Sequence, residues 1–158
     1  MTSSAEFLAI AQKEVGTVEV PDNKVKYNDN NGQPWCGYFV NWVAKVAKVK
    51  IPNCIYTPAG VEGFKGTGRW FNTPAPGDIV FFDFVKGGAA VEHVGIVVKD
   101  NGDGTLTTIE GNTSNEKKPT GSQANGGEVA IRIRAYKADN KRHIPVFIVG
   151  YGRPKWSK

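Results

Sequence analysis

Long hydrophobic runs are absent from this 158-residue sequence. No apolar stretch approaches the ~18 residues of a membrane-spanning helix, which excludes a membrane span. The amino-terminal residues, MTSSAEFLAI, lack the positive charge of a secretory signal peptide, and Glu6 and Gln12 interrupt the apolar run. We therefore expect a protein that is made in the cytoplasm without a signal peptide, and that needs another route out if it acts outside the cell.

Cysteine and histidine are scarce, with 2 residues of each. Two cysteines cannot build the multiple disulfides that stabilise small secreted domains. The sequence also has no CxxC pair and no HExxH motif, which are typical of zinc sites. We therefore expect neither a disulfide framework nor a metal site made from these residues.

Acidic residues are fewer than basic ones, 15 against 20, which gives a net charge of +5. A basic surface attracts nucleic acid, anionic lipid or polymers that carry phosphate and carboxylate groups. The densest basic run, Lys137 to Arg142, is short and contains Asp139, and no basic helix or RNA-binding motif is present, so we do not expect nucleic acid as a partner. The length and the 40% of apolar residues fit one domain over residues 1–158, and we expect a monomer.

The hydrophobic pattern predicts helices first and strands afterwards. Ser3 and Glu6 form a capping box at the start of the first helix. The order indicates an α+β fold, with amino-terminal helices packed on a mostly antiparallel sheet of about five strands. Residues 51–68 are irregular with room for a short helix, and residues 112–127 form a long polar loop. The predicted helices are Ser3–Val15 and Trp35–Val49, and the predicted strands are Asp78–Phe84, Val91–Lys99, Thr105–Ile109, Val129–Arg134 and Pro145–Tyr151.

Cys36 lies where a loop becomes a helix, in the sequence PWCGYF. The partial positive charge and free N–H groups of a helix N-terminus stabilise a thiolate. The same N–H groups can hold the oxyanion that forms when a thiolate attacks a carbonyl carbon. A lone free cysteine is more often a small buried apolar side chain, so the nucleophile hypothesis depends on a base nearby.

His93 opens the apolar run HVGIVV, and Glu110 and Asn112 end the next predicted strand, in TIEGNT. If the two strands pair through the turn at residues 100–104, the Glu110 carboxylate lies near the imidazole and fixes its tautomer. His93 would then take the thiol proton of Cys36 and later protonate a leaving amine. Taken singly, each of these residues also fits an ordinary strand or turn role.

The order of these motifs resembles the CHAP family, the cysteine, histidine-dependent amidohydrolases and peptidases, which belongs with the NlpC/P60 hydrolases to the papain-like group. The resemblance covers nearly the whole chain. Each matching stretch is weak evidence alone, and only their combination in this order is specific for the family. One departure is Gly37, because alanine is common after the nucleophile in that family. The matching stretches are EVG at 14–16, KYN at 26–28, PWCGYFVNWV at 34–43, PGDIVFF at 76–82, HVGIV at 93–97, IEGNTS at 109–114 and GYGRP at 150–154.

The resemblance implies a papain-like fold in which Cys36 is the nucleophile, His93 the base and Glu110 the acid, with Asn112 assisting. It also implies peptidoglycan as the substrate, cut within its peptides by an endopeptidase or between glycan and peptide by an N-acetylmuramoyl-L-alanine amidase. A phage endolysin, or its catalytic domain, is the implied type of protein. The missing signal peptide agrees, since many endolysins are made in the host cytoplasm and reach the cell wall through a phage-made hole.

Residues around the nucleophile are candidates for binding substrate or calcium. We expect Trp35, Tyr27 and Trp70 to contact the substrate, although most tryptophans belong to the core. Some relatives bind calcium in the loop before the nucleophile, where this chain has Asp22 and Asp29. The twelve-residue calcium loop with its closing glutamate is missing, so we favour turn roles for both residues and expect no cofactor.

Two alternative functions stay open at this point. The same fold and thiol chemistry fit a papain-like protease or deamidase that acts on a protein. A non-catalytic module that binds cell wall is the third interpretation, and the combination of Cys36, His93 and Glu110 argues against it, because a binding module needs no thiolate with its base.

Overall fold

The computed structural model describes residues 2–85, 91–115 and 122–157. Helices come first and strands follow, which confirms the predicted α+β class. Within the described ranges, none of the helices is long and apolar enough to cross a membrane. The helices are α1 (Ser4–Lys13), α2 (Cys36–Ala47) and α3 (Thr57–Gly66), and the strands are β1 (Trp70–Phe71), β2 (Ile79–Phe82), β3 (His93–Asp100), β4 (Thr105–Thr113), β5 (Glu128–Ala135) and β6 (Ile148–Gly152).

The six strands form one sheet in the order β1-β6-β2-β3-β4-β5, and each pair of neighbours is antiparallel. The predicted turn between β3 and β4 is present. Asp100 accepts a hydrogen bond from the N–H of Gly102 at 2.9 Å, and Asp103 accepts one from the N–H of Thr105 at 3.0 Å. These contacts close the connection at a fixed register, so the two strands that carry His93 and Glu110 lie side by side.

The amino-terminal helix begins at its predicted capping box. The hydroxyl of Ser3 accepts a hydrogen bond from the N–H of Glu6, and the Glu6 carboxylate accepts one from the N–H of Ser3, both at 3.2 Å. Phe7 and Ala11 of this helix are fully buried, and α1 packs against α2. The capping box therefore sets the start of a helix that supports the element carrying Cys36.

The two faces of the sheet contact different apolar clusters. Alternation along each strand directs successive side chains to opposite faces. One face packs against the helices through residues such as Ile79, Ile96 and Ile109. The other face carries a smaller cluster that includes Phe82 and Leu106. His93 pairs with Phe82 and therefore projects from this second face, where a strand and not a loop holds it.

The short helix for which residues 51–68 leave room is present as α3, and the short strand β1, which was not predicted, follows it and pairs with the end of β6. Strand β4 continues beyond the predicted end at Ile109 to Thr113, so Glu110 and Asn112 lie within its last part. Residues 116–121 of the predicted polar loop lie outside the described residues.

Gly37 is packed directly against the backbone of Cys54. A Cβ atom at position 37 would lie 2.0 Å from the carbonyl oxygen of Cys54, far inside van der Waals contact. The departure from the common alanine is therefore required by this chain's own packing, since the segment after α2 approaches the helix more closely than any side chain permits.

We expect Gly37→Ala to destabilise the protein by about 1–3 kcal/mol, because the segment around Cys54 must move away from α2. The matched control is Gly66→Ala at the end of α3, where no atom lies within 4 Å of the added Cβ. Alanine there should leave stability unchanged or raise it by up to about 1 kcal/mol. Urea unfolding of both variants measures the difference, and equal stability would contradict the close approach.

Candidate active site

Cys36 is the first residue of α2 and is 7% exposed. The residue before it, Trp35, gives no side-chain hydrogen bond to the first turn of the helix. The first N–H groups of a helix have no partner within the helix. Because no N-cap side chain occupies them here, they remain available to an anion beside the thiol.

His93 is the first residue of β3 and is fully buried. It pairs with Phe82 across the sheet. Its ring lies 5.5 Å from the ring of Phe82 and 5.7 Å from that of Phe84, measured between centroids. Strand pairing and two aromatic contacts therefore fix the imidazole in one orientation.

The two ring nitrogens of His93 have different surroundings. Nε2 lies 2.8 Å from Oε1 of Glu110. Nδ1 is buried and forms no hydrogen bond of ordinary geometry within the described residues. Cys36 is the neighbour left for Nδ1, because Cys36 is one of the groups that interact with the imidazole. An ionised carboxylate only accepts hydrogen bonds, so Nε2 carries the proton and Nδ1 is free to accept one.

Glu110 is fully buried and has four hydrogen-bonding contacts within the part of the chain that the structure describes. Besides His93, the Thr108 hydroxyl donates to Oε2 at 2.5 Å. Arg134 donates from Nε to Oε2 at 2.8 Å and from Nη2 to Oε1 at 2.6 Å, a bidentate ion pair. Gly95 provides the space, because a Cβ atom there would lie 2.6 Å from Cγ of Glu110. Charge pairing and hydrogen bonds together offset the large cost of burying a carboxylate.

The titration of the pair follows from these contacts. Burial opposes the charged form of Glu110, but the Arg134 guanidinium and the hydrogen bonds hold the pKa of the Glu110 carboxyl well below its usual range. Burial alone would lower the pKa of His93, whereas its interactions with Cys36 and Glu110 raise it from 6.5 to about 9. The geometry therefore favours an ionised glutamate and a readily protonated imidazole beside a thiol.

Comparison with known proteins gives the family. A model described as the CHAP domain matches residues 28–112, which is more than half of the chain. The chain belongs to the CHAP family. The matched range contains Cys36, His93, Glu110 and Asn112 and ends before Arg134. No curated protein matches the sequence.

A solved structure supports the same fold. The chain is similar to a Staphylococcus aureus protein described as similar to a lipoprotein of the NLP/P60 family, with 14% sequence identity and a TM-score of 0.52. The match covers 95% of this chain and 40% of that chain, so this chain spans about two fifths of its solved neighbour. At this identity the likeness shows the papain-like fold alone. The CHAP and NlpC/P60 families are cysteine peptidases and amidases of the cell-wall hydrolase type.

Asn112 lies in the CHAP chain at a bulge of β4, with a φ of 55°. Its amide N–H donates to Oδ1 of Asn125 at 3.0 Å, and its Oδ1 accepts from the N–H of Gly127 at 3.1 Å. Neither contact involves His93. The assisting role of Asn112 stays a prediction, and in this conformation its side chain orders the segment before β5.

The three predicted substrate contacts have different positions. Trp35 is fully buried and its indole N–H donates to Glu19 at 3.1 Å, and its contact with substrate stays a prediction. Tyr27 is also buried, with its hydroxyl donating to Glu14 at 2.7 Å. Both rings pack on each other, with centroids 5.5 Å apart. Tyr27 also packs on Phe39 of α2, with ring centroids 5.1 Å apart, so these rings support the helix that carries Cys36.

Trp70 is half-buried on β1, and two strands, β6 and β2, separate it from the strand of His93. Its ring packs 5.7 Å from that of Phe81. Glycine at position 150 permits this packing, because a Cβ there would lie 2.3 Å from the Trp70 ring. Its predicted contact with substrate stays a prediction that the sheet order does not favour.

The loop before Cys36 does not gather carboxylates. Asp22 and Asp29 are exposed, and Asp29 adopts a left-handed turn conformation with a φ of 52°. Across residues 2–85, 91–115 and 122–157, no three His, Cys, Asp or Glu side chains come close enough to hold a metal ion. The expectation that the protein needs no cofactor stays a prediction.

Arg134 and Gly95 are the site residues that sequence reasoning missed. Alternation of apolar and charged residues along β5 is typical of a half-exposed strand, yet Arg134 is only 4% exposed while Ile131 is 39% exposed. A buried carboxylate needs a partner. The burial of Glu110, which the structure shows, explains why a cation approaches from the neighbouring strand.

We expect iodoacetamide to alkylate Cys36 before Cys54. Cys54 is fully buried, and burial raises the pKa of its thiol to about 12, which leaves almost no thiolate at neutral pH. Peptide mass spectrometry after short exposure at neutral pH measures the two sites separately. Cys54→Ala, the matched control, should keep the early labelling that Cys36→Ala loses. Earlier labelling of Cys54 would contradict the assignment of the nucleophile.

Proposed function

We propose that this chain hydrolyses peptidoglycan, as an endopeptidase or an N-acetylmuramoyl-L-alanine amidase, through a thiol mechanism of Cys36, His93 and Glu110. One observation carries the proposal. Glu110 holds one ring nitrogen of the buried His93, and the imidazole also interacts with Cys36, which lies at a helix N-terminus. A proton acceptor, a nucleophile and an anion-stabilising group thus meet at one point.

The first half of the reaction acylates the enzyme. Nδ1 of His93 takes the proton of the Cys36 thiol, and Glu110 stabilises the imidazolium that forms. The thiolate attacks the carbonyl carbon of the amide, and the first N–H groups of α2 stabilise the oxyanion. The imidazolium then donates its proton to the leaving nitrogen as the C–N bond breaks. An amine leaves, and a thioester to Cys36 remains.

The second half restores the enzyme. Water enters as the amine departs, and Nδ1 of His93 takes a proton from it during attack on the thioester carbonyl. The tetrahedral intermediate collapses, the C–S bond breaks, and the proton returns to the sulfur. A carboxylic acid is released, and Cys36 and His93 recover their initial state. Each proton moves through the same nitrogen, which explains why a single fixed imidazole is sufficient.

Membership of the CHAP family supports cell wall as the substrate, together with a net charge of +5 that attracts the carboxylate and phosphate groups of wall polymers. Within this family, a phage endolysin or its catalytic domain is the type of protein that we propose. It would be made in the host cytoplasm and would act on the wall after release.

Digestion of purified peptidoglycan tests the function. We expect the wild type to release fragments with new amino termini or free lactyl-peptides, and Cys36→Ala to release none, because thioester formation requires the sulfur. Mass spectrometry of the products identifies the bond that is cut. Cys54→Ala is the matched control that should retain cleavage. Circular dichroism verifies that each variant is folded.

Other outcomes would support the alternatives. Cleavage of casein, but of no wall preparation, would move the assignment to a protease that acts on proteins. Binding to wall sacculi with no thiol-dependent cleavage of any substrate would indicate a non-catalytic wall-binding module.

The pH dependence of wall cleavage should have a basic limit near pH 9. Because the pKa of His93 is raised to about 9, the imidazolium that protonates the leaving amine persists up to that pH and is lost above it. The exposed His143 gives a matched control. We expect His143→Ala to keep the profile and His93→Ala to lose activity at all pH values. A profile that stays flat through pH 9 would count against His93.

A further inference from the structure

We propose that Arg134 is a positioning residue of this site, whose guanidinium balances the charge of Glu110 so that thiolate and imidazolium form together in a buried region without net charge. The inference rests on the proposed thiol mechanism and deepens it. Arg134 lies beyond residues 28–112, the range that the family model matches. Its assignment therefore comes from this chain's own geometry.

Several contacts hold the side chain of Arg134 in one position. Two of its nitrogens bind the two oxygens of Glu110, at 2.8 and 2.6 Å. Its third nitrogen, Nη1, donates to Oε1 of Gln123 at 2.5 Å. The guanidinium carbon also lies 5.0 Å from the ring centroids of Phe82 and Phe84, the same two rings that contact His93. One aromatic surface thus orients both the cation and the imidazole.

The Arg134 guanidinium determines the net charge of the buried groups. In the described residues, the titratable and charged groups that face one another here are Cys36 on α2, His93 on β3, Glu110 on β4 and Arg134 on β5. Thr108 and Gln123 add uncharged contacts. With thiolate and imidazolium formed, two negative and two positive charges cancel. Without the guanidinium, the same state has one negative charge in excess, which burial strongly disfavours.

Loss of the guanidinium should shift the pH at which the active form appears in the same direction, whichever group takes up the extra proton. If the sulfur keeps its proton, the nucleophile is absent. If Glu110 is protonated, its O–H donates to Nε2 of His93, so the ring proton moves to Nδ1 and blocks the acceptor that faces Cys36. Both states lose a proton only at higher pH. The active form therefore appears at higher pH when Arg134 is removed.

The test measures the rate of Cys36 alkylation by iodoacetamide as a function of pH, with peptide mass spectrometry and no wall substrate. Arg134→Met should move the midpoint of the curve to higher pH by about one unit or more, since an opposite charge at this distance changes titration by that amount. Alkylation below the midpoint should fall about tenfold per unit of displacement. Arg134→Lys keeps the charge without the bidentate geometry. Its alkylation midpoint should therefore lie closer to that of the wild type than to that of Arg134→Met.

Substitution of Glu110, the partner of Arg134, should move the alkylation midpoint in the opposite direction. Glu110→Gln removes the carboxylate charge but keeps the guanidinium, so its midpoint should move to lower pH. The double variant Glu110→Gln/Arg134→Met contains no unpaired charge and should have a midpoint close to that of the wild type. Where Arg134→Met does not fold, the comparison of Glu110→Gln with the double variant tests the same balance. A purely structural role would not give shifts of opposite sign that cancel.

Arg153→Met is the matched control. Arg153 forms a bidentate pair with the buried Asp78, with both contacts at 2.8 Å, next to the end of β2 opposite the one that pairs with His93. Its loss should lower the melting temperature without moving the alkylation midpoint. Equal midpoints for wild type, Arg134→Met and the double variant would overturn the proposal.

Because alkylation needs no substrate, the outcome is independent of the wall assay. Shifts of opposite sign in a protein that cleaves no wall would retain the role of Arg134 and reject only the proposed substrate. If the wild type cleaves wall and its midpoint does not depend on Arg134, the proposed function stands and the inference fails.

Discussion

The hydrogen bond between Nε2 of His93 and the carboxylate of Glu110 is the contact on which the rest of the site depends. It assigns the proton to one nitrogen and leaves the other to face Cys36. A glutamate can make this contact only if it stays ionised at zero exposure, and it does so because Arg134 and Thr108 satisfy its remaining lone pairs. The ionised state of Glu110 therefore depends on a charge that lies two strands away from His93.

Close backbone packing determines where these side chains meet. Glycine at position 95 leaves room for the stem of Glu110, and a Cβ at Gly111 would lie 2.6 Å from Cβ of Phe39 on α2. The helix that carries Cys36 thus lies directly on the strand that carries Glu110. At the bulge after Glu110, Asn112 forms hydrogen bonds with the segment before β5. The motifs HVG and EGN are therefore as much packing signals as catalytic ones.

Much of this arrangement could be predicted from the sequence, because local chemistry specifies it. The capping box of Ser3 and Glu6 begins α1, and the turn before Thr105 pairs the strands that bring His93 to Glu110. Other features depend on contacts distant in sequence. Trp35 is adjacent to the nucleophile but is drawn into the core by Glu19 and Tyr27. Arg134 looks like a solvated strand residue until the carboxylate opposite it is known to be buried.

A glutamate paired with an arginine behaves, in charge, like a neutral amide that is hydrogen-bonded to an imidazole. The pair nevertheless differs from an amide in one respect, because its neutrality depends on two residues on different strands. Gln123, which binds the same guanidinium, lies in the segment that Asn112 orders through Asn125 and Gly127. The segment before β5 and the buried carboxylate of Glu110 are thus joined through one guanidinium.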